Sequence, residues 1–157
     1  MKARILVWLV ALFCCHNASF APKEFVNASA RLSGHPRILL QKGEEKALKK
    51  VIMKDAVWKD IHLSLVDEAG EIVKLPLNER IKTGRRLLSV SRENLRRIFI
   101  LSYAYRMTGK NEFLKRAESE MLKAASFSDW NPSHFLDVGE MTMALAIGYD
   151  WLYPQLS

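Results

Sequence analysis

The chain has 157 residues, 49% apolar and 26% charged, enough to bury a core and unlike the composition of a disordered segment. Seven glycines, five prolines and no alternating apolar/polar run argue against a β-rich fold and for helices throughout. The formal charge of +7 suits a polyanionic glycan or a membrane headgroup surface better than nucleic acid in an exported protein; otherwise it is a basic solvated surface.

Export is read from the first residues. Lys2 and Arg4 precede eleven apolar residues, Ile5 to Cys15, and then a small-residue exit through Ala18, Ser19 and Ala21. The pattern is a secretory signal over residues 1–21, its apolar run too short to span a bilayer. It places the mature protein in the periplasm or outside the cell, with no transmembrane segment once it is removed. Pro22 hinders cleavage directly after Ala21, so a cut after Ser19 or near Ala28 to Ala30 stays open. Both cysteines, Cys14 and Cys15, lie inside the signal, so the mature chain has no disulfide and depends on packing. A lipid anchor on one of them is the rival reading, disfavoured by bulky Phe13. Losing Lys2 and Arg4 leaves 22 basic residues against 17 acidic ones, a net charge of +5.

Residues 22–34 are small and polar and read as a flexible arm, and the helical domain is expected over 35–157. It opens with His35-Pro36-Arg37-Ile38-Leu39-Leu40, an extended lead-in because Pro36 steers His35 away from helix. A helix is predicted over 44–53 with Leu48, Val51 and Ile52 on one side. A second, over 56–73, repeats Trp58, Ile61, Leu65, Ala69 and Ile72 at steps of three and four, one apolar face that His62 borders. Leu75-Pro76 ends it, and a polar segment over 78–91 carries Arg80, Lys82, Gly84, Arg85 and Arg86.

Ser91 then has the character of an N-cap for a helix over 92–108, with Leu95, Ile98, Phe99, Ser102 and Tyr105 as its buried stripe. Gly109 fits a left-handed C-terminal cap. Asn111 starts a partner helix over 112–125 whose Phe113, Ala117, Met121 and Ala124 face inward. So short a connection forces an antiparallel hairpin. A long helix follows within 129–153. Asn131 is its expected N-cap, Pro132 its first residue, and Trp130 with Phe135 a hydrophobic staple. Met141, Met143, Leu145 and Tyr149 are read as core, and Gly139 and Gly148 as positions where a neighbouring helix approaches closely. Leu156-Ser157 has the look of the entry to a further helix, so the chain reads as a fragment.

Several chemistries are excluded. The sequence has no HExxH, no mature cysteine, no close histidine pair, no GxSxG and no glycine-rich phosphate loop. No cofactor or metal is expected within it. His134, Asp137 and Glu140 recur at steps of three near the start of the long helix and share a face, able to meet sugar hydroxyls or simply to stabilise the first turns. Trp130 suits stacking on a sugar ring as well as stapling. Arg85 and Arg86 suit forked contacts to carboxylate or sulfate. Arg96 and Arg97, adjacent on a helix, point apart and are not expected to share a ligand.

Three blocks carry a family resemblance: HPRILL at 35–40, GRRLLSVSRENLRRIFILSYAYRMTGKNEFL at 84–114 and WNPSHFLDVGEMTMALAIGYDWLYPQL at 130–156. Together they resemble heparinase II/III-like polysaccharide lyases, a group that includes oligoalginate lyases. The resemblance implies an all-α fold of antiparallel hairpins forming the N-terminal part of an incomplete (α/α) toroid, with a β-sandwich region beyond it. It implies β-elimination on an acidic, uronic-acid-containing glycan. The Asn-His, Tyr and further His positions that perform it in the family map downstream of Ser157, so no catalytic residue is assigned here and the chain alone is expected to be inactive. By the same resemblance Trp130, Asn131 and His134 lie at the rim of the cleft. The substrate-binding candidates are thus Trp130, Asn131, His134, Asp137, Glu140, Arg85 and Arg86. The alternative is a helical-repeat binding module of tetratricopeptide type, suggested by Tyr105, Gly109, Phe113 and Ala117, though no second copy of that unit recurs.

Overall fold

The structure, a computed structural model, describes residues 34–156; the expected signal and nearly all of the arm lie outside the described residues. The described chain is all-α. Helices α1 (Glu45–Lys54), α2 (Ala56–Lys74), α3 (Leu88–Thr108), α4 (Asn111–Ala125) and α5 (Phe135–Leu152) follow in order and end in a 3-10 turn, Tyr153–Gln155. No strand occurs among the described residues, only an isolated bridge between Thr83 and Arg86.

Helix α3 is central, packing against α2, α4 and α5. The core gathers Ala69 and Ile72 of α2, Leu101 and Ala104 of α3, Phe113 and Ala117 of α4, and Leu152 of α5. Gly109 takes the left-handed conformation expected of it (φ 74°), its N–H donating to the Tyr105 carbonyl at 2.7 Å. Gly148 is the close approach predicted: a Cβ built there would stand 2.6 Å from Ile98 Cγ2. Gly139 is not, since a Cβ there meets nothing within 4 Å.

The apolar stripe of α2 is half covered. Ala69 and Ile72 are buried, whereas Trp58 remains 47% exposed and Ile61 is similarly open, because the stripe runs on past the edge of the core. Val51 of α1 is also exposed, leaving Leu48 and Ile52 to face inward. Met143 and Tyr149 of α5 lie half in solvent rather than in the core. Apolar residues surround α5, so no narrow stripe singles out its buried side.

Two helix starts differ from expectation. Helix α3 begins at Leu88, and Ser91 is buried inside it, its hydroxyl donating to the Leu88 carbonyl at 3.1 Å. Helix α5 begins at Phe135 with His134 at the N-cap, and Asn131 and Pro132 precede it in a turn. Asn131 adopts φ 58°, a conformation asparagine tolerates better than most residues. Phe135 is 82% exposed, so it forms no staple with Trp130.

Carboxylates join the parts. Glu120, fully buried, accepts from Arg97 Nη1 at 3.0 Å and Arg116 Nη2 at 2.6 Å. Arg96 and Arg97 do share a ligand, contrary to the helical-wheel expectation. Both reach the Glu93 carboxylate, at 2.7 and 2.6 Å, because it lies one turn before each of them. Asp150 accepts the N–H groups of Arg37 (2.7 Å) and Ile38 (2.9 Å) and pairs with His35 Nδ1 at 2.6 Å. Trp151 Nε1 donates to the Ile38 carbonyl at 2.8 Å and Arg106 to the Leu40 and Gln41 carbonyls, so the extended lead-in is fastened along its length.

Candidate functional site

The cluster of sequence candidates is built from two loops and the first turns of α5. The loop between α2 and α3 makes a tight turn closed by Thr83 N–H to the Arg86 carbonyl (2.9 Å) and Arg86 N–H to the Thr83 carbonyl (3.2 Å). Gly84 supplies its left-handed residue, φ 60°. Its cationic side chains lie beside the loop that joins α4 to α5, and hydrogen bonds bind it to that loop and to the first turn of α5. Arg80 Nη2 meets Asp129 Oδ1 at 2.7 Å, Lys82 Nζ meets Asn131 Oδ1 at 3.3 Å, and Asn131 Nδ2 donates to the Arg85 carbonyl at 2.9 Å. The Leu87 N–H donates to Asp137 Oδ2 at 2.7 Å.

Asp137 is 1% exposed, and the same Oδ2 accepts also from Asn131 Nδ2 at 2.7 Å. Burial pushes its pKa up, but the Asn131 and Leu87 hydrogen bonds and the charges of His134 and Arg86 prevail, holding it below the ordinary carboxylate value. Asp137 therefore supplies, from another helix, the acceptor for the N-cap N–H of α3 that the third residue of a capping box would otherwise offer. Asp129 is likewise held below its usual value, by the Arg80 hydrogen bond and then by the Asn131 N–H.

This corrects two candidates. Asp137 and Asn131 are buried within the joint between the loops and do not present themselves to a ligand. Glu140 is partly covered: Oε1 accepts from Arg92 at 3.0 Å, and Oε2 is buried without a partner. Trp130, His134, Arg85 and Arg86 stay accessible. The Trp130 indole N–H donates to the Ala124 carbonyl at 2.9 Å, which fixes the ring while leaving its surface to line a hollow of about 270 Å³ with Phe127, Asp129, Pro132 and Val138. Trp130 also borders a larger apolar groove between α4 and α5, about 550 Å³, shared with Met121, Leu122, Leu145 and Tyr149. His134 Nδ1 lies 3.3 Å from Ser133 Oγ. The exposed guanidinium groups of Arg85 and Arg86 have no ion-pair partner among the described residues.

Lys82 belongs with these cations, although in the sequence nothing distinguishes it from the other basic residues of its polar segment. Its proximity to Asn131 depends on a contact between positions 49 apart. Among the described residues no group of three or more His, Cys, Asp or Glu side chains is arranged to hold a metal ion, and no helix is long and apolar enough to cross a membrane. No protein-family model and no curated protein matches this chain.

Proposed function

We propose that this chain is the N-terminal helical part of a polysaccharide-lyase toroid and contributes one rim of a groove for an acidic, uronic-acid-containing glycan. One observation carries the reading: an accessible cationic turn, with Lys82, Arg85 and Arg86, is fastened beside Trp130 and His134 through the Asn131–Asp137 joint. Guanidinium forks match sugar carboxylates, and an indole face suits the apolar side of a pyranose ring. The all-α architecture agrees with the toroid but is shared with many other folds.

β-Elimination requires neutralisation of the uronate carboxylate, removal of the adjacent C5 proton and protonation of the departing O4. In this reading Arg85 and Arg86 hold carboxylates along the groove, and the proton-transferring groups belong to sequence outside this chain. Affinity electrophoresis through gels containing alginate or heparin tests the binding step, with a neutral glucan as control. The wild-type chain should be retarded only by the uronic polymers, and the Arg85→Ala/Arg86→Ala variant should lose most of that retardation. Equal mobility of the two proteins in every gel would refute the site. The lyase step is read separately, as ultraviolet absorbance of unsaturated uronate released by the chain joined to the remaining toroid and sandwich regions.

A further inference from the structure

Charge pairing is uneven across this molecule. Arg80, Arg92, Arg96, Arg97, Arg106 and Arg116 all meet carboxylates. By contrast Lys46, Lys49, Lys50, Lys54 and Lys59, on α1 and the start of α2, have no ion-pair partner among the described residues. Nearby acids are engaged elsewhere: Glu45 pairs with Arg106, Glu44 accepts the Gln41 N–H, and Asp55 caps α2 through the Val57 and Trp58 N–H groups. Asp60 is the remaining acid of this stretch.

The same stretch is unusually apolar where it meets solvent. Met53 is 75% exposed and Val57 66%, and Val51, Trp58 and Ile61 are also exposed. Lys46, Lys49, Lys50 and Met53 are spaced to share one face of α1. Asp55 alone separates that helix from α2, where Val57, Trp58 and Ile61 crowd the first turns. We propose that this α1–α2 junction docks on an anionic phospholipid surface. Ammonium groups meet headgroup phosphates while their stems and the neighbouring apolar side chains enter the acyl boundary, where tryptophan is also favoured. A glycan chain satisfies the lysines but leaves Met53, Val57 and Ile61 in water, so the combination selects lipid. None of these residues belongs to the cationic turn or to the Trp130 loop, so the inference stands apart from the proposed glycan site.

The test is co-sedimentation of the full chain with vesicles of phosphatidylglycerol mixed with phosphatidylcholine, and with phosphatidylcholine alone. Binding is expected only to the anionic vesicles and should fall with added salt. Replacing three lysines (K46Q, K49Q and K50Q together) should weaken it roughly a hundredfold. A Met53→Ser/Val57→Ser variant should weaken it as well, with far-ultraviolet circular dichroism unchanged in both. Quenching by brominated lipid should be larger for the wild type than for Trp58→Phe. Absence of binding to anionic vesicles overturns the proposal. So does undiminished binding by the lysine variant, which would assign the attachment to another segment, such as residues 5–15. Loss of heparin binding in that variant, with no vesicle binding by the wild type, would show that the face reads glycan instead.

Discussion

Gly139 and Gly148 make opposite predictions from one helix. They stand about two and a half turns apart along α5 and therefore on opposite sides of it. A Cβ at Gly148 would lie 2.6 Å from Ile98 Cγ2 and 2.7 Å from Met121 Sδ, whereas one at Gly139 meets nothing within 4 Å. Carbon contacts are comfortable near 3.5–4.0 Å, so Gly148→Ala requires a shift of about 1 Å. The Met121 thioether can swing aside. Ile98 cannot, because a β-branched side chain within a helix has essentially one rotamer, so α3 and α5 must separate locally. Such overpacking costs about 1–3 kcal/mol, against a helix-propensity gain of about 1 kcal/mol. Gly148→Ala should therefore destabilise by up to about 2 kcal/mol, while Gly139→Ala should stabilise by about 0.5–1 kcal/mol. Urea unfolding followed by circular dichroism reads both, with midpoints moving in opposite directions at unchanged slope. A Gly148→Ala midpoint at or above that of the wild type would refute the reasoning.

Three further outcomes follow from the carboxylates. Asp137→Ala leaves the Leu87 N–H without its acceptor and should cost about 2–3 kcal/mol. Asp137→Asn retains an acceptor oxygen and should cost less than half as much; equal losses in thermal unfolding would remove the capping role assigned to this side chain. Glu120→Ala removes the carboxylate that Arg116 meets and one of the two that Arg97 meets, while Glu93 and the Val73 and Pro76 carbonyls remain, and should cost about 2–3 kcal/mol, read from urea unfolding. Acid sensitivity has a defined sign. Asp137 and Asp150 are both held below the ordinary value of 3.8, so their contribution is complete above the unfolded pKa and is lost as pH falls through the folded one. Unfolding midpoints should stay level near neutrality and decline below about pH 4, and Asp150→Asn should make that decline shallower. An identical acid profile in the variant would exclude Asp150 as a source.

The helices were legible in the sequence where apolar spacing and a local stop coincide. Gly109 fixes the α3–α4 turn within a few residues, and its left-handed φ is a property that glycine itself permits. The starts of α3 and α5 were not legible, because their polar groups are satisfied from afar. Ser91 and Asn131 looked like caps by residue type. The acceptor before α3 instead comes from Asp137, fifty positions away, and Asn131 is drawn out of the helix by the Arg85 carbonyl. The candidate site was legible as a list of residues but not as roles. Stepwise spacing put His134, Asp137 and Glu140 on one face, yet it carries no information about Leu87 or Arg92, which engage two of them. The exposed half of the α2 stripe escaped for a related reason: periodicity marks an apolar face without saying where its covering ends.

Helix α5 carries Asp137 near one end and Asp150 near the other, about 20 Å apart at 1.5 Å per residue. Asp137 grips the entry to α3, and Asp150 grips the lead-in at Arg37 and Ile38. The two segments that lack repetitive hydrogen bonding of their own are thus both anchored to one rod at these points, beside the ties that Arg106 and the Asp129–Asn131 loop add. Any displacement of that rod is delivered to both ends together, so the amide protons of Leu87, Arg37 and Ile38 should exchange with deuterium in concert although the chain separates them by some fifty residues.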